Sequence, residues 1–88
     1  MTMKDRIDWN LNEFPQGIKD IVIEALCIYK DHLKIAKHIK ESADLLYGGP
    51  HHCIVGRKFY GCATLEHWMQ CRLDDVRIYL YKSPRWAT

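Results

Sequence analysis

Several things are missing from this 88-residue sequence. No apolar run approaches the roughly 18 residues that a membrane-spanning helix needs. Neither charge sign dominates: the net charge is +2, too slight for the electrostatic footprint of a nucleic-acid binder, and no basic stripe interleaves with aromatics. The opening MTMKDRIDWN has no apolar core of the kind a secretion signal carries. None of the four cysteines, Cys27, Cys53, Cys62 and Cys71, sits in a C-x-x-C pair. Reduced thiols in the cytosol are therefore expected, each serving as a small buried hydrophobe. Repeats, low-complexity stretches and linkers are also missing, and residues 1–88 are expected to form one domain. A chain this short buries only about 60–65% of its unfolded surface, so its core is small and a second subunit would enlarge it.

The first half has helical periodicity. Pro15 suits a first helical turn, and Ile18, Ile21, Val22, Ala25, Leu26 and Tyr29 recur at the i, i+3, i+4 spacing of one apolar face. Asp31 is placed to cap a second helix with a face of Ile35, Ala36, Ile39, Ala43 and Leu46. Gly48 and Gly49 end that helix, and Pro50 prevents its continuation. The period then changes to two. His52–Arg57, Phe59–Thr64, Trp68–Leu73 and Val76–Tyr81 each have strand character. The two-residue connection Asp74-Asp75 folds the last two into a hairpin. In that register Leu73 faces Val76, Cys71 faces Ile78 and Met69 faces Leu80, an apolar face to meet the helices. The other face sets Trp68 against Tyr81, Gln70 against Tyr79 and Arg72 against Arg77. Helices first and strands second predict an α+β domain, two helices packed on an antiparallel sheet covered on one side.

Three chemistries compete for the stretch HHCIVGRKFYGCATLEH, from His51 to His67. A metal site would draw on His51, His52, Cys53, Cys62, His67 and Cys71, but zinc sites use short paired spacings. Adjacent strand residues point to opposite faces, which separates His52 from both neighbours. Cysteine–histidine catalysis needs a lowered thiol pKa and an oriented base. The sequence has neither nucleophile elbow nor phosphate loop, and Asp74-Asp75 has the chemistry of a turn. The third reading is a sheet edge that accepts a partner strand. Gly61 would permit close backbone approach there. The plain alternative is an ordinary edge guarded by Arg57 and Lys58. No metal and no cofactor are expected.

The block from His52 to Phe59, followed by Thr64 and Glu66, resembles the signature of the eight-kilodalton cytoplasmic dynein light chains. YKDHLKIAKHIK, from Tyr29, is similar to the start of that family's second helix, and VRIYLYKS, from Val76 to Ser83, to its last strand. The likeness covers roughly Ile18 to Ser83. Residues 1–14 match weakly, and 84–88 extend past the family's usual end. The resemblance implies a non-catalytic homodimer in which the strand matching Phe59–Thr64 crosses to the sister subunit and a client peptide adds beside it. Such proteins are cytoplasmic, cytoskeleton-associated hubs for disordered partners, including the dynein intermediate chain, and act on neither nucleic acid nor membrane. His52, Gly56, Phe59, Thr64 and Ser83 would then lie at the dimer interface. Phe59, Tyr60, Gly61, Cys62, Ala63, Thr64, Leu65, Gln70, Arg72, Arg77 and Tyr79 would border the peptide. Ser83 matches the serine whose phosphorylation separates subunits.

The chain departs from the family pattern inside that groove. Tyr60 replaces a small residue, and Leu65 a histidine or tyrosine. His32 and Leu33 replace an acidic–lysine pair, and Gln70, Arg72 and Arg77 replace aromatic or small residues. The connection before Trp68 is two residues shorter. The usual threonine–glutamine–threonine client is therefore not expected to transfer. Arg72 and Arg77, opposite each other, carry like charges that destabilise a cross-strand pair by about 0.2–1 kcal/mol. Asp74 and Asp75 could relieve them, or an acidic client side chain could. Two other classes stay open at this stage: a monomeric structural domain without client binding, and a small thiol- or metal-dependent enzyme.

Overall fold

The computed structural model describes residues 3–11, 14–57 and 68–82. A short helix α1 (Met3–Arg6) and a three-residue strand β1 (Asp8–Asn10) precede the two long helices, α2 (Ile18–Ile28) and α3 (His32–Tyr47). Strands β2 (His51–Arg57), β3 (Trp68–Leu73) and β4 (Val76–Lys82) follow. The expected strand Phe59–Thr64 lies outside the described residues, as does Ser83.

Helix α2 is entered through a turn in which the Ile18 amide donates to the Pro15 carbonyl at 3.2 Å. Its N-cap, Gly17, offers no capping side chain. The second helix starts as its sequence dictates: the Asp31 carboxylate accepts from the Lys34 amide at 3.1 Å, a side-chain cap for an otherwise orphaned donor. It stops at Gly48, whose φ of 75° is readily reached only without a Cβ. The buried positions are Ile18, Ile21, Val22 and Ala25 on α2 and Ile35, Ile39 and Ala43 on α3. Leu46, expected on the inner face, is 63% exposed. Tyr47 takes its place, packing edge-on against Phe14 with ring centroids 6.1 Å apart.

The sheet is antiparallel with strand order β1-β3-β4-β2. The β3–β4 hairpin has the expected register, Leu73 opposite Val76 through Trp68 opposite Tyr81. Met69, Cys71, Ile78 and Leu80 are buried against the helices at 2% exposure or less. Strand β2 joins the far side of β4, setting Val55 opposite Ile78 and Cys53 opposite Leu80. The N-terminal segment, which has no clear periodicity, adds Ile7 and Phe14 to the core. It also supplies β1, hydrogen-bonded along β3, with Trp9 under the Lys19 ammonium at 5.5 Å.

Candidate functional site: the open face of the sheet

Side chains alternate across a strand, so the residues between the buried ones form a second face away from the helices. Cross-strand pairing arranges that face in three rows. One runs Asp8, Arg72, Arg77, Gly56; the next Asn10, Gln70, Tyr79, Ile54; the third Trp68, Tyr81, His52. The face thus grades from charged at one end to aromatic at the other. At the aromatic end His52 stacks on Tyr81 with centroids 5.1 Å apart, and Trp68 stacks on Tyr79 at 5.9 Å with planes inclined by 10°. Tyr79 and Tyr81 touch at 5.8 Å. Ile54 beside them is 47% exposed. These stacked rings form a broad platform, and strand β2 closes the described sheet on that side.

At the charged end Arg72 donates to Asp8 at 2.8 Å. That carboxylate comes from β1, not from the turn. Asp74 pairs instead with Arg6 at 2.8 Å, and Asp75 with Arg57 at 3.3 Å. The expected confrontation of Arg72 with Arg77 is present in the register. A hollow of about 280 Å³ opens here, lined among others by Asp8, Asn10, Gln70, Arg72 and Arg77. Sequence reasoning missed Asp8 and Asn10, whose only signal is the polar–apolar–polar alternation around Trp9, too short to identify a strand.

A second polar cluster joins the end of α3 to the start of β2. Asp44, near the end of α3, accepts from the His51 amide at 2.7 Å, from His51 Nδ1 at 2.8 Å and from Lys40 Nζ at 2.6 Å. Burial alone would raise the Asp44 pKa. The hydrogen bonds from Lys40 and His51, with the Lys40 charge, outweigh that and hold the carboxyl below its ordinary value. Burial is the largest influence on His51 and, with the Lys82 and Lys40 charges, pulls its pKa below the usual 6.5 against the opposing pull of Asp44. A lowered pKa favours the neutral imidazole above pH 6.5, and beside an ionised Asp44 the Nδ1 hydrogen then donates to the carboxylate.

The sequence placed His51 and His52 on opposite faces, and so they are: His51 is 1% exposed, and His52 is exposed. Among the described residues no three His, Cys, Asp or Glu side chains converge as a metal would require. Burial pushes the Cys71 thiol up to about 12, and burial with the nearby Cys71 charge does the same for Cys53. Such thiols are almost wholly protonated at neutral pH and are poor nucleophiles. Cys27, expected to be buried, is exposed, because it falls on the outer side of α2. Gln70, Arg72, Arg77 and Tyr79 come together on the open face with His52 and Gly56. Phe59, Tyr60, Gly61, Cys62, Ala63, Thr64, Leu65 and Ser83 lie outside the described residues.

Two helices covering one side of a four-stranded antiparallel sheet, with an aromatic face left on the other, define a small binding domain of the dynein light chain type. The family model of dynein light chain type 1 matches residues 11–83, and the chain belongs to the dynein light chain family. Membership assigns it a general binding or adaptor role. No curated protein matches the chain significantly. Among solved structures, the dynein light chain-like domain of a calcium-binding protein from Fasciola hepatica superposes with a TM-score of 0.70. It is 16% identical and covers 91% of this chain and 94% of its own. No helix among the described residues is long and apolar enough to cross a membrane.

Proposed function

We propose that this chain is a non-catalytic, homodimeric adaptor that binds extended segments of partner proteins by adding them as a strand. One observation carries the reading. The platform of Trp68, Tyr79, Tyr81 and Ile54 is a contiguous apolar face with no described element over it, and such faces mark association sites. A second copy applied through a twofold axis covers part of it with an identical surface, and the part at Tyr79 borders the client. His52 and Gly56 then lie in the interface, with Phe59, Thr64 and Ser83 as the family pattern implies. Strand addition draws on the backbone of Phe59 through Leu65, with Gln70, Arg72, Arg77 and Tyr79 meeting client side chains. A cytoplasmic, cytoskeleton-associated setting and the dynein intermediate chain as one client belong to the same proposal.

The test is molar mass and peptide capture together. Sedimentation at micromolar concentration is expected to give twice the chain mass of 10.4 kDa, and a displayed library of short peptides is expected to yield binders. A monomer that captures no peptide overturns the reading.

A further inference from the structure

We infer that the hollow beside His51, on the helix side of the sheet, is a ligand site separate from the open face. It takes a small hydroxyaryl anion: one aromatic ring whose hydroxyl donates to His51 Nε2 and whose acidic group is held by Lys82. The inference stands independently of the adaptor reading.

The hollow measures about 310 Å³ and is lined by Phe14, Pro15, Tyr47, His51 and Lys82, at the small end of ligand cavities. Three parts of the fold build it. The turn before α2 brings Phe14, whose amide donates to the Leu11 carbonyl at 2.7 Å. The end of α3 brings Tyr47, and Gly17 leaves room for it, because a Cβ there would lie 2.7 Å from the Tyr47 hydroxyl. The end of the β2–β4 ladder brings His51 and Lys82, which are cross-strand partners and so share the helix-side face of Ile78 and Leu80. The rings meet as edges and faces. Phe14 packs against Tyr47 at 6.1 Å with planes 87° apart, and against His51 at 5.8 Å with planes 64° apart. Such walls suit a further ring, which can offer its edge to one and its face to another.

His51 supplies the specific contact. Its side chain is 1% exposed, and Nδ1 is engaged by Asp44 at 2.8 Å. Nε2 has no hydrogen-bond partner among the described residues, yet no fully enclosed side-chain nitrogen or oxygen among them lacks one. Nε2 is therefore where His51 keeps its small contact with solvent, through the hollow that it lines. With the hydrogen on Nδ1, Nε2 presents a lone pair and accepts only a donor. A hydroxyl oxygen is no larger than the water that reaches it. Lys82 sets the charge. Its ammonium donates to the Tyr47 carbonyl at 3.5 Å, a long bond. Asp44 is held by Lys40 and His51, and Lys82 has no ion-pair partner among the described residues. A ligand carboxylate would give it a shorter, charge-assisted bond.

The test is titration of the full chain, at neutral pH and with isotope-labelled histidine, followed by nuclear magnetic resonance. The probes are para-hydroxybenzoate, its methyl ether para-methoxybenzoate, and the uncharged para-hydroxybenzamide. The hydroxybenzoate is expected to move the His51 Nε2 resonance and to leave His52, on the other face, in place. The methyl ether cannot donate and should bind about five-fold more weakly, and the benzamide should lose a similar factor. Lys82→Met keeps the stem without the charge. It should erase the preference for benzoate over benzamide and retain that for hydroxyl over methoxy, a split that general affinity for rings would not give. Because His51 also anchors the start of β2, its part is read from the methyl ether and not from a His51 variant. An unmoved His51 resonance at millimolar ligand, a series in which either loss is missing, or a shift at His52 instead of His51 overturns the inference. Each of these leaves dimerisation and peptide capture, and so the adaptor reading, untouched.

Discussion

Among single residues, Asp44 and His51 tie the end of α3 to the start of β2. One carboxylate meets two donors of His51 across the Gly-Gly-Pro turn and the Lys40 ammonium from its own helix, and so fixes where β2 begins. A Cβ on Gly49 would lie 2.8 Å from Asp44 Oδ1, a tight approach that the three donors prevent Asp44 from relieving. Asp44→Ala leaves buried donors of His51 without their acceptor and should cost about 2–3 kcal/mol in urea unfolding. His51, with its folded pKa below the usual 6.5, contributes stability in full above that value and loses it as pH falls toward the folded pKa. Asp44, with its folded pKa below 3.8, adds a contribution lost only at still lower pH. Wild type is therefore expected to weaken as pH drops from about 7 to 5, and His51→Gln to show a flatter profile over that range. An unaltered profile in the variant would remove His51 as the cause. The thiols give a second residue-scale outcome. Cys27 should alkylate in the native protein, and Cys53 and Cys71 only on unfolding, as read by peptide mass spectrometry.

At the scale of elements, periodicity decided what the sequence could reveal. Ile18 to Ala25, Ile35 to Ala43 and the β3–β4 hairpin repeat their apolar residues often enough to define a face, and the observed register is the expected one. Strand β1 has three residues and no repeat, so Asp8 and Asn10 went unseen, although they complete two rows of the open face. Phe14 and Ile7, isolated in sequence, gave no sign that they enter the core. The Asp44–His51 contact was hidden for another reason: it spans a turn, and no local pattern links an acid at a helix end to the first residue of a strand. Phe14 is 4% exposed, and Phe14→Ala should cost about 3–4 kcal/mol. The hairpin has its own sensitive point at Asp74, whose φ is 55°. Aspartate tolerates that left-handed region, whereas a β-branched residue does not. Asp74→Val should destabilise by about 1–2 kcal/mol, measured as a lowered unfolding midpoint.

For the whole molecule, the small core and the open face have one remedy. A single 88-residue chain packs apolar side chains on one side of its sheet and leaves stacked rings on the other, and the proposed second copy covers part of these rings. Ile54→Lys places a charge within the platform while sparing the helix-side core. It should shift the sedimenting species from dimer to monomer, with far-ultraviolet circular dichroism unchanged. A dimer that survives Ile54→Lys would place the contact elsewhere on the surface.

The alternation of β2 has a practical consequence. Two consecutive histidines stand on opposite sides of one strand, His51 sealed beneath and His52 exposed above on its tyrosine. They form a built-in pair of labels, one reporting on the interior and the other on whatever approaches the sheet. An imidazole-acylating reagent should mark His52 and spare His51 in the folded chain. Occupancy of the open face should protect His52 alone, while loosening of the fold should expose both. A single mass spectrum of this dipeptide thus distinguishes a molecule that has met its partner from one that has begun to unfold.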